Sequence, residues 1–174
     1  MSELPLIVTL SLNEDAQAWF DALRRQYFPP ALLRVGAHVT MFHALPGSEE
    51  APVSQALAAC AHRTPVFPVA CPGLRFLGRG VAFSLSAPQA LDLRRELAGI
   101  FAAWLTSQDR AKWQPHVTVQ NKVAPDVARQ TQSALAMLEP PPIDARGLAL
   151  WRYCNGPWSF VAAFAFPGGS PPAG

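Results

Sequence analysis

Two short strings of this sequence carry side chains that could transfer a proton near neutral pH. They are Ala37-His38-Val39-Thr40-Met41 and Pro115-His116-Val117-Thr118-Val119, and we call their His-Val-Thr triplets the first and the second motif. Because side chains alternate between the two faces of a strand, the His and Thr of each motif share a face, about 7 Å apart. An imidazole exchanges a proton near pH 7, and a hydroxyl donates hydrogen bonds to anions. Two facing motifs would supply a general acid, a general base and two donors to phosphate oxygens, without a metal.

The same alternation adds three candidate substrate-binding residues. Phe42 shares the face of the first motif histidine, and Gln120 and Lys122 share the face of the second. Lys122 could offer its charge to a phosphate, and Phe42 could stack on a base or ribose. The competing interpretations are a solvated strand end for Lys122 and a core position for Phe42. Alternation also places His43 on the face opposite to the first motif.

Alternating strand and helix patterns surround both motifs and predict the architecture. Strands are predicted at Leu4–Leu12, Ala37–Ala44, Val66–Leu77, Val81–Ser86, Val117–Val123, Ile143–Tyr153 and Trp158–Phe166, and helices at Asn13–Gln26, Ser48–Arg63, Pro88–Ser107 and Pro125–Leu138. Each half contains strand, helix, strand, with its motif on the later strand, which indicates an internal duplication. We therefore predict an α+β fold, with two pseudo-symmetric α/β lobes of mainly antiparallel sheet around a central cleft that carries both motifs.

Composition limits the classes of protein to which the chain can belong. The chain of 174 residues is half apolar and predicts one bilobal domain, residues 1–166, before a tail, residues 167–174, that is expected to be disordered. Its net charge of +2 argues against binding nucleic acid mainly through phosphate neutralisation. Cys60, Cys71 and Cys154 form no CxxC pair, which argues against a zinc site or a disulfide framework and favours reduced thiols in a cytoplasmic protein. The apolar run at the start is too short for a membrane span.

With both motifs placed, the chain resembles the 2H phosphoesterase superfamily, and within it the bacterial 2′-5′ RNA ligase-like, or cyclic phosphodiesterase, proteins. That superfamily carries two His-x-Thr/Ser motifs with apolar flanks. The resemblance extends to Pro5–Leu10, Phe28-Pro29-Pro30, Trp113-Gln114-Pro115 and Gly156-Pro157-Trp158. It implies two lobes around a cleft and metal-free hydrolysis of 2′,3′-cyclic phosphates or 2′-5′ phosphodiester linkages, with RNA ligation as the reverse reaction in some members.

The resemblance also assigns roles to the motif residues. It implies that His38 and His116 are the acid–base pair and that Thr40 and Thr118 hold the phosphoryl oxygens. Many ligase-like relatives carry an Arg soon after the second motif, where this chain has Lys122. That departure, with the modest net charge, favours a nucleotide-sized substrate.

The expected partner is an RNA end or a nucleotide with a cyclic phosphate or a 2′-5′ linkage, bound by a monomer without cofactor or membrane. Two alternatives remain open at this point. One is a non-catalytic module that binds RNA ends or nucleotides in the same cleft. The other is a related reaction on a different phosphodiester, such as an ADP-ribose cyclic phosphate.

Overall fold

The computed structural model describes residues 3–168 and contains seven strands and five α-helices within them. The strands are β1 (Leu6–Leu12), β2 (Val39–Leu45), β3 (Phe67–Phe76), β4 (Val81–Ser86), β5 (His116–Gln120), β6 (Ile143–Tyr153) and β7 (Trp158–Ala165). The helices are α1 (Glu14–Tyr27), α2 (Glu50–His62), α3 (Pro88–Ile100), α4 (Ser107–Arg110) and α5 (Pro125–Leu135). The predicted α+β class with mainly antiparallel sheet is confirmed.

Strand pairing divides the sheet into two lobes. The order is β2-β1-β6-β3-β4-β5, with β7 also paired to β6, and every pair is antiparallel. The first residues of β3, Phe67–Val69, pair with β6, whereas the part from Ala70 to Phe76 pairs with β4. One lobe is thus β2-β1-β6-β7, the other is β3-β4-β5, and β3 joins them.

The helix predicted over Pro88–Ser107 is too long. α3 ends at Ile100, and the next residue, Phe101, is fully buried. A separate short helix, α4, then begins, because the Thr106 hydroxyl accepts a hydrogen bond from the Asp109 amide (3.2 Å) and caps it. This break matters for the site, because it turns the Asp109 side chain towards β2.

Two buried arginines occupy matching positions in the two halves. In α1, Arg24 donates from Nη1 to the Thr118 carbonyl (2.7 Å), on the second motif strand. In α3, Arg94 donates from Nε to the Met41 carbonyl (2.7 Å), on the first motif strand, and from Nη2 to the Asp109 carbonyl (2.6 Å). Each half therefore anchors the motif strand of the other half with a charged hydrogen bond.

Two further predictions concern the disordered tail and the possibility of a membrane span. Of the predicted disordered tail, residues 169–174 lie outside the described residues, and Pro167 and Gly168 form a turn after β7. Between residues 3 and 168, no helix is long and apolar enough to cross a membrane.

Candidate active site

The two motif strands come together even though they occupy opposite ends of the sheet order. Cα atoms of β2 and β5 approach within 8 Å of each other. The indole Nε1–H of Trp113, just before the second motif, donates to the Thr40 carbonyl of the first motif (2.8 Å). With the bond from Arg24 to Thr118, each motif is held by a side chain from the other half of the sequence.

Both motif histidines are held in the same tautomer. Nδ1 of His38 lies 2.8 Å from the carbonyl oxygen of Gly36, and Nδ1 of His116 lies 2.8 Å from the carbonyl oxygen of Gln114. A carbonyl oxygen only accepts, so each Nδ1 carries the hydrogen. In the neutral imidazole, Nε2 is then left with its lone pair, and it is the atom that can take or return a proton.

Burial sets the charge state of His38. It lowers the pKa of His38 to about 4, the hydrogen bond to Gly36 opposes the shift, and the charge of Arg24 adds to it. Two further histidines, His116 and His43, also lower this pKa through their positive charge. His38 is therefore neutral at neutral pH and suited to accept a proton.

Burial also lowers the pKa of His116, although less than that of His38. The hydrogen bond to Gln114 opposes the shift, and the charges of Arg75 and His43 add to it. The two motif histidines are thus alike in tautomer and different in their tendency to be protonated. That difference suits an acid–base pair, in which one member must be neutral while the other is charged.

Each motif strand carries a β-bulge directly after its threonine. In the pairing of β1 with β2, Val8 faces Phe42 and Thr9 faces Thr40, so that Met41 is an extra residue. In the pairing of β4 with β5, an equivalent shift makes Val119 the extra residue between Thr118 and Gln120. Two consecutive residues after each threonine consequently point into the core.

The bulges correct two of the predicted substrate contacts. Phe42 is 0% exposed, packs on Phe101 and lies under the guanidinium of Arg94, 4.0 Å from its ring centroid. Gln120 is 2% exposed and donates to the Thr131 hydroxyl (2.8 Å). Simple alternation assigned both residues to the motif face, and that assignment is wrong because it counted no bulge.

The third predicted substrate contact, Lys122, lies beyond the strand. β5 ends at Gln120, and Lys122 adopts a left-handed backbone conformation (φ 65°) in the bend that follows. Its amide donates to the Asn121 side chain (2.9 Å). Strand alternation therefore gives no basis for placing Lys122 on the face of His116, although its side chain is exposed at this end of β5.

His43 lies on the motif face, contrary to the prediction from alternation. The extra residue in β2 reverses the alternation, so that Thr40 and His43 are partly exposed while the two residues between them are buried. His43 Nδ1 lies 2.9 Å from Asp109 Oδ1, and the side chain of His43 is 39% exposed. A third imidazole therefore stands beside the two motif histidines, oriented by a carboxylate.

Asp109 fixes the bulged end of β2. Its carboxylate is buried and accepts hydrogen bonds from the His43 amide (2.9 Å), the Ala44 amide (3.1 Å) and the His43 ring (2.9 Å). Burial raises the pKa of this carboxyl, but these hydrogen bonds outweigh burial and leave the pKa below its ordinary value. The group is therefore a carboxylate in the folded protein.

Replacing Asp109 with Ala should destabilise the protein by about 3 kcal/mol at pH 7, because buried donors left without an acceptor each cost about 1–3 kcal/mol. Since the pKa of Asp109 is lower in the folded state, its contribution is complete above about pH 4, the ordinary value for aspartate, and disappears as the pH falls below that. Urea unfolding at pH 7 and pH 3 measures both effects. Asp92→Ala, an exposed partner of Arg95, is the matched control and should cost under about 0.5 kcal/mol. A loss below about 1 kcal/mol for Asp109→Ala would contradict this account.

Trp158 also belongs to the site, although it was not predicted to lie there. Its ring centroid lies 4.5 Å from that of His38, and both residues line a cavity of about 230 Å³ together with Trp151 and Asp21. β7 pairs with one edge of β6, and β1 pairs with the other edge. This pairing places Trp158, the first residue of β7, beside His38. Nothing in the local pattern of residues 156–158 indicates that contact, because it depends on the order of strands in the sheet.

The donor set does not fit a resident metal ion. Among the described residues, no group of three or more His, Cys, Asp or Glu side chains is placed to hold one. Structural and catalytic zinc sites use three or four such ligands. The two motif histidines instead direct Nδ1 to backbone carbonyls, which leaves one nitrogen on each ring for proton transfer.

Comparisons with known proteins place the chain in context. A model of the 2′-5′ RNA ligase superfamily matches residues 12–157. The fold is similar to the crystal structure of TT0787 of Thermus thermophilus, with a TM-score of 0.66 and 18% identity over 96% of this chain and 100% of that chain. It is also similar to E. coli LigT complexed with 3′-AMP, with a TM-score of 0.61 and 16% identity over 94% and 98% of the two chains. A search of curated protein sequences finds no match.

Proposed function

The chain belongs to the 2′-5′ RNA ligase superfamily, and we propose that it is a metal-independent phosphodiesterase that hydrolyses 2′,3′-cyclic phosphate or 2′-5′ phosphodiester linkages of RNA ends or nucleotides. Membership of this superfamily of 2H phosphoesterases supports a phosphodiesterase or ligase-type activity. The observation that carries the proposal is the matched pair of histidines, each with Nδ1 bound to the carbonyl two residues earlier.

The two histidines take different roles in hydrolysis. Neutral His38 removes a proton from water at Nε2 while the water oxygen forms a bond to phosphorus. Protonated His116 donates a proton from Nε2 to the leaving ribose oxygen as its bond to phosphorus breaks. In ligation a ribose hydroxyl takes the place of water: it loses its proton to His38 as it attacks a cyclic phosphate, and the ring oxygen that leaves is protonated by His116. The roles exchange in the reverse of that step, in which the neighbouring ribose hydroxyl attacks the 2′-5′ linkage and the cyclic phosphate forms again.

The motif threonines bind the non-bridging phosphoryl oxygens. Thr40 and Thr118 share the faces of their histidines, and their carbonyls are engaged by Trp113 and Arg24. These bonds fix the backbone and leave the hydroxyls to donate to the charge that builds up on the phosphoryl oxygens. Such preorganised donors need little rearrangement during the reaction.

A nucleotide fits beside this pair. Trp158 forms an aromatic wall next to His38, and nucleobases stack on such side chains. E. coli LigT has been solved with 3′-AMP, with NADP+ and with ATP, which supports a nucleotide as the ligand here.

We expect the purified protein, in EDTA, to turn over at least one member of a panel of 2′,3′-cyclic mononucleotides, RNA ends with a cyclic phosphate, and 2′-5′ dinucleotides. The physical reason is that the proposed proton transfers use only imidazole groups. Chromatography of the products, which keep the phosphoryl group as a monoester, measures the reaction. Activity that EDTA abolishes and a divalent cation restores would refute the metal-independent mechanism. Tight binding without any turnover would favour the alternative of a non-catalytic module for RNA ends or nucleotides.

A further inference from the structure

A second cavity, of about 510 Å³, lies on the His116 side of the site. Its walls come from the end of β3, from β4, from the start of α3 and from the segment before β5. The lining residues that bear on its chemistry are Arg75, Ser84, Ser86, Ala87, Lys112 and Gln114. This cavity and the smaller one that contains His38 and Trp158 have no lining residue in common.

The larger cavity adjoins the second motif directly. Gln114, whose carbonyl accepts the hydrogen bond from His116, is part of its wall. Ser84, also in the wall, is the cross-strand partner of His116 in the pairing of β4 with β5. A ligand in this cavity would therefore lie beside the phosphate whose leaving oxygen His116 protonates.

The polar lining of this cavity is suited to an anion. It contains the cations Arg75 and Lys112, two serine hydroxyls and the Gln114 amide, and no Asp or Glu. Within residues 3–168 neither Arg75 nor Lys112 forms a salt bridge. Two cations without an acidic partner at one concave surface attract phosphate.

The first turn of α3 adds to this positive potential. Ala87, the N-cap residue, lines the cavity, and its side chain provides no capping hydrogen bond. The positive end of this 13-residue helix therefore lies at the cavity. Arg75 also lies close enough to His116 for its charge to reinforce the lowering of the His116 pKa that burial causes.

The two motifs match, but their surroundings differ. The cavity beside His38 is lined by Trp151, Trp158 and Asp21, an aromatic and acidic set that suits a base or ribose. The cavity beside His116 is basic. A substrate lying across both motifs would accordingly place a base on the first side and negative charge on the second.

We propose that the cavity at Arg75 and Lys112 binds a second phosphate of the substrate, next to the one that is cleaved. This inference rests on the proposed function and narrows its substrate class to nucleotides or RNA ends that carry an additional phosphate. The source of that phosphate is the backbone diester of an RNA end or the 5′-phosphate of a mononucleotide, which share the chemistry that Arg75 and Lys112 recognise.

The test compares three substrates that differ in the second phosphate. They are a nucleoside 2′,3′-cyclic phosphate, its 5′-phosphorylated form and a dinucleotide ending in a cyclic phosphate. For the native protein, KM should be about tenfold lower for a substrate with a second phosphate, as expected for two charge-assisted contacts at an exposed site. A lower KM for the dinucleotide alone would identify the backbone diester as the ligand. A lower KM for both the dinucleotide and the 5′-phosphorylated substrate would show that the cavity binds any neighbouring phosphate. Equal KM values for all three substrates would overturn the proposal.

The double variant Arg75→Gln/Lys112→Gln should abolish that preference by raising KM about tenfold for the substrates with a second phosphate, while the KM of the plain cyclic nucleotide changes by less than about twofold. Arg25→Gln/Arg95→Gln removes the same charge from exposed positions on α1 and α3 and should keep the preference. An equal rise in KM for all substrates would indicate a general charge effect and overturn the proposal.

Calorimetry with a nucleoside 3′-phosphate and a nucleoside 3′,5′-bisphosphate keeps this result separate from the proposed function. Tighter binding of the bisphosphate, lost in Arg75→Gln/Lys112→Gln, would support the subsite even if no substrate is turned over. Equal affinities would count against the subsite even if hydrolysis is established.

Discussion

Replacing His38 or His116 with Ala is expected to lower kcat by about 10²- to 10⁴-fold, the usual contribution of a general acid or base. Each ring is held by a hydrogen bond from Nδ1 to a backbone carbonyl, so each places its Nε2 on the motif face with a defined tautomer. Alanine removes that proton acceptor or donor and leaves the strand pairing intact. The double variant should be little slower than either single one, because groups that act as a unit do not contribute additively.

Steady-state rates on the best substrate of the panel measure this effect. His62→Ala is the control, because His62 is exposed at the end of α2, away from both motif strands. It should keep full activity. Thermal unfolding of every variant would show that the fold survives, and His38→Gln and His116→Gln would repeat the loss with a closer match in size. Full turnover in either alanine variant would refute the two-histidine mechanism.

The sequence is most informative up to the threonine of each motif. The periodicity of two locates His38 and Thr40 on one face and predicts the strand itself, and the second motif repeats the pattern. The periodicity of two fails at the next residue, because a bulge is a property of the pairing between two strands and is not encoded in either strand alone. In β2 the two consecutive apolar residues Met41 and Phe42 are a usable signal. In β5 no such signal exists, because the second of the two buried residues is Gln120.

The same reasoning explains which parts of the fold were predictable. Amphipathic helices such as α1 and α5 depend on local periodicity, and their predicted positions are confirmed to within a few residues. The position of Trp158 beside His38 depends on the order β1-β6-β7, which long-range pairing decides. Both halves contain a Leu-Arg-Arg sequence, residues 23–25 in α1 and residues 93–95 in α3, and the first arginine of each is buried. Their role as cross-lobe anchors required knowing that α1 packs on β5.

The pH dependence of kcat/KM is expected to be bell-shaped, with its maximum on the acidic side of neutrality. The acid limb reflects deprotonation of the base, His38, whose pKa burial lowers to about 4. The alkaline limb reflects loss of the proton from the acid, His116, whose pKa burial lowers below the ordinary value of about 6.5. The active form, with His38 neutral and His116 charged, therefore predominates between the pKa of His38 and the pKa of His116. Outside them the rate should fall about tenfold per pH unit.

A variant at His43 tests whether these limbs belong to the motif histidines. The positive charge of His43 lowers the pKa of both His38 and His116 in addition to the larger effect of burial. His43→Gln retains an N–H donor for Asp109 but removes the charge, so both pKa values should rise and both limbs should move to higher pH. His62→Gln, far from the motif strands, should leave the profile in place. A maximum above pH 7 in the native protein, or a profile that rises without a turn, would show that groups other than these two imidazoles control the rate.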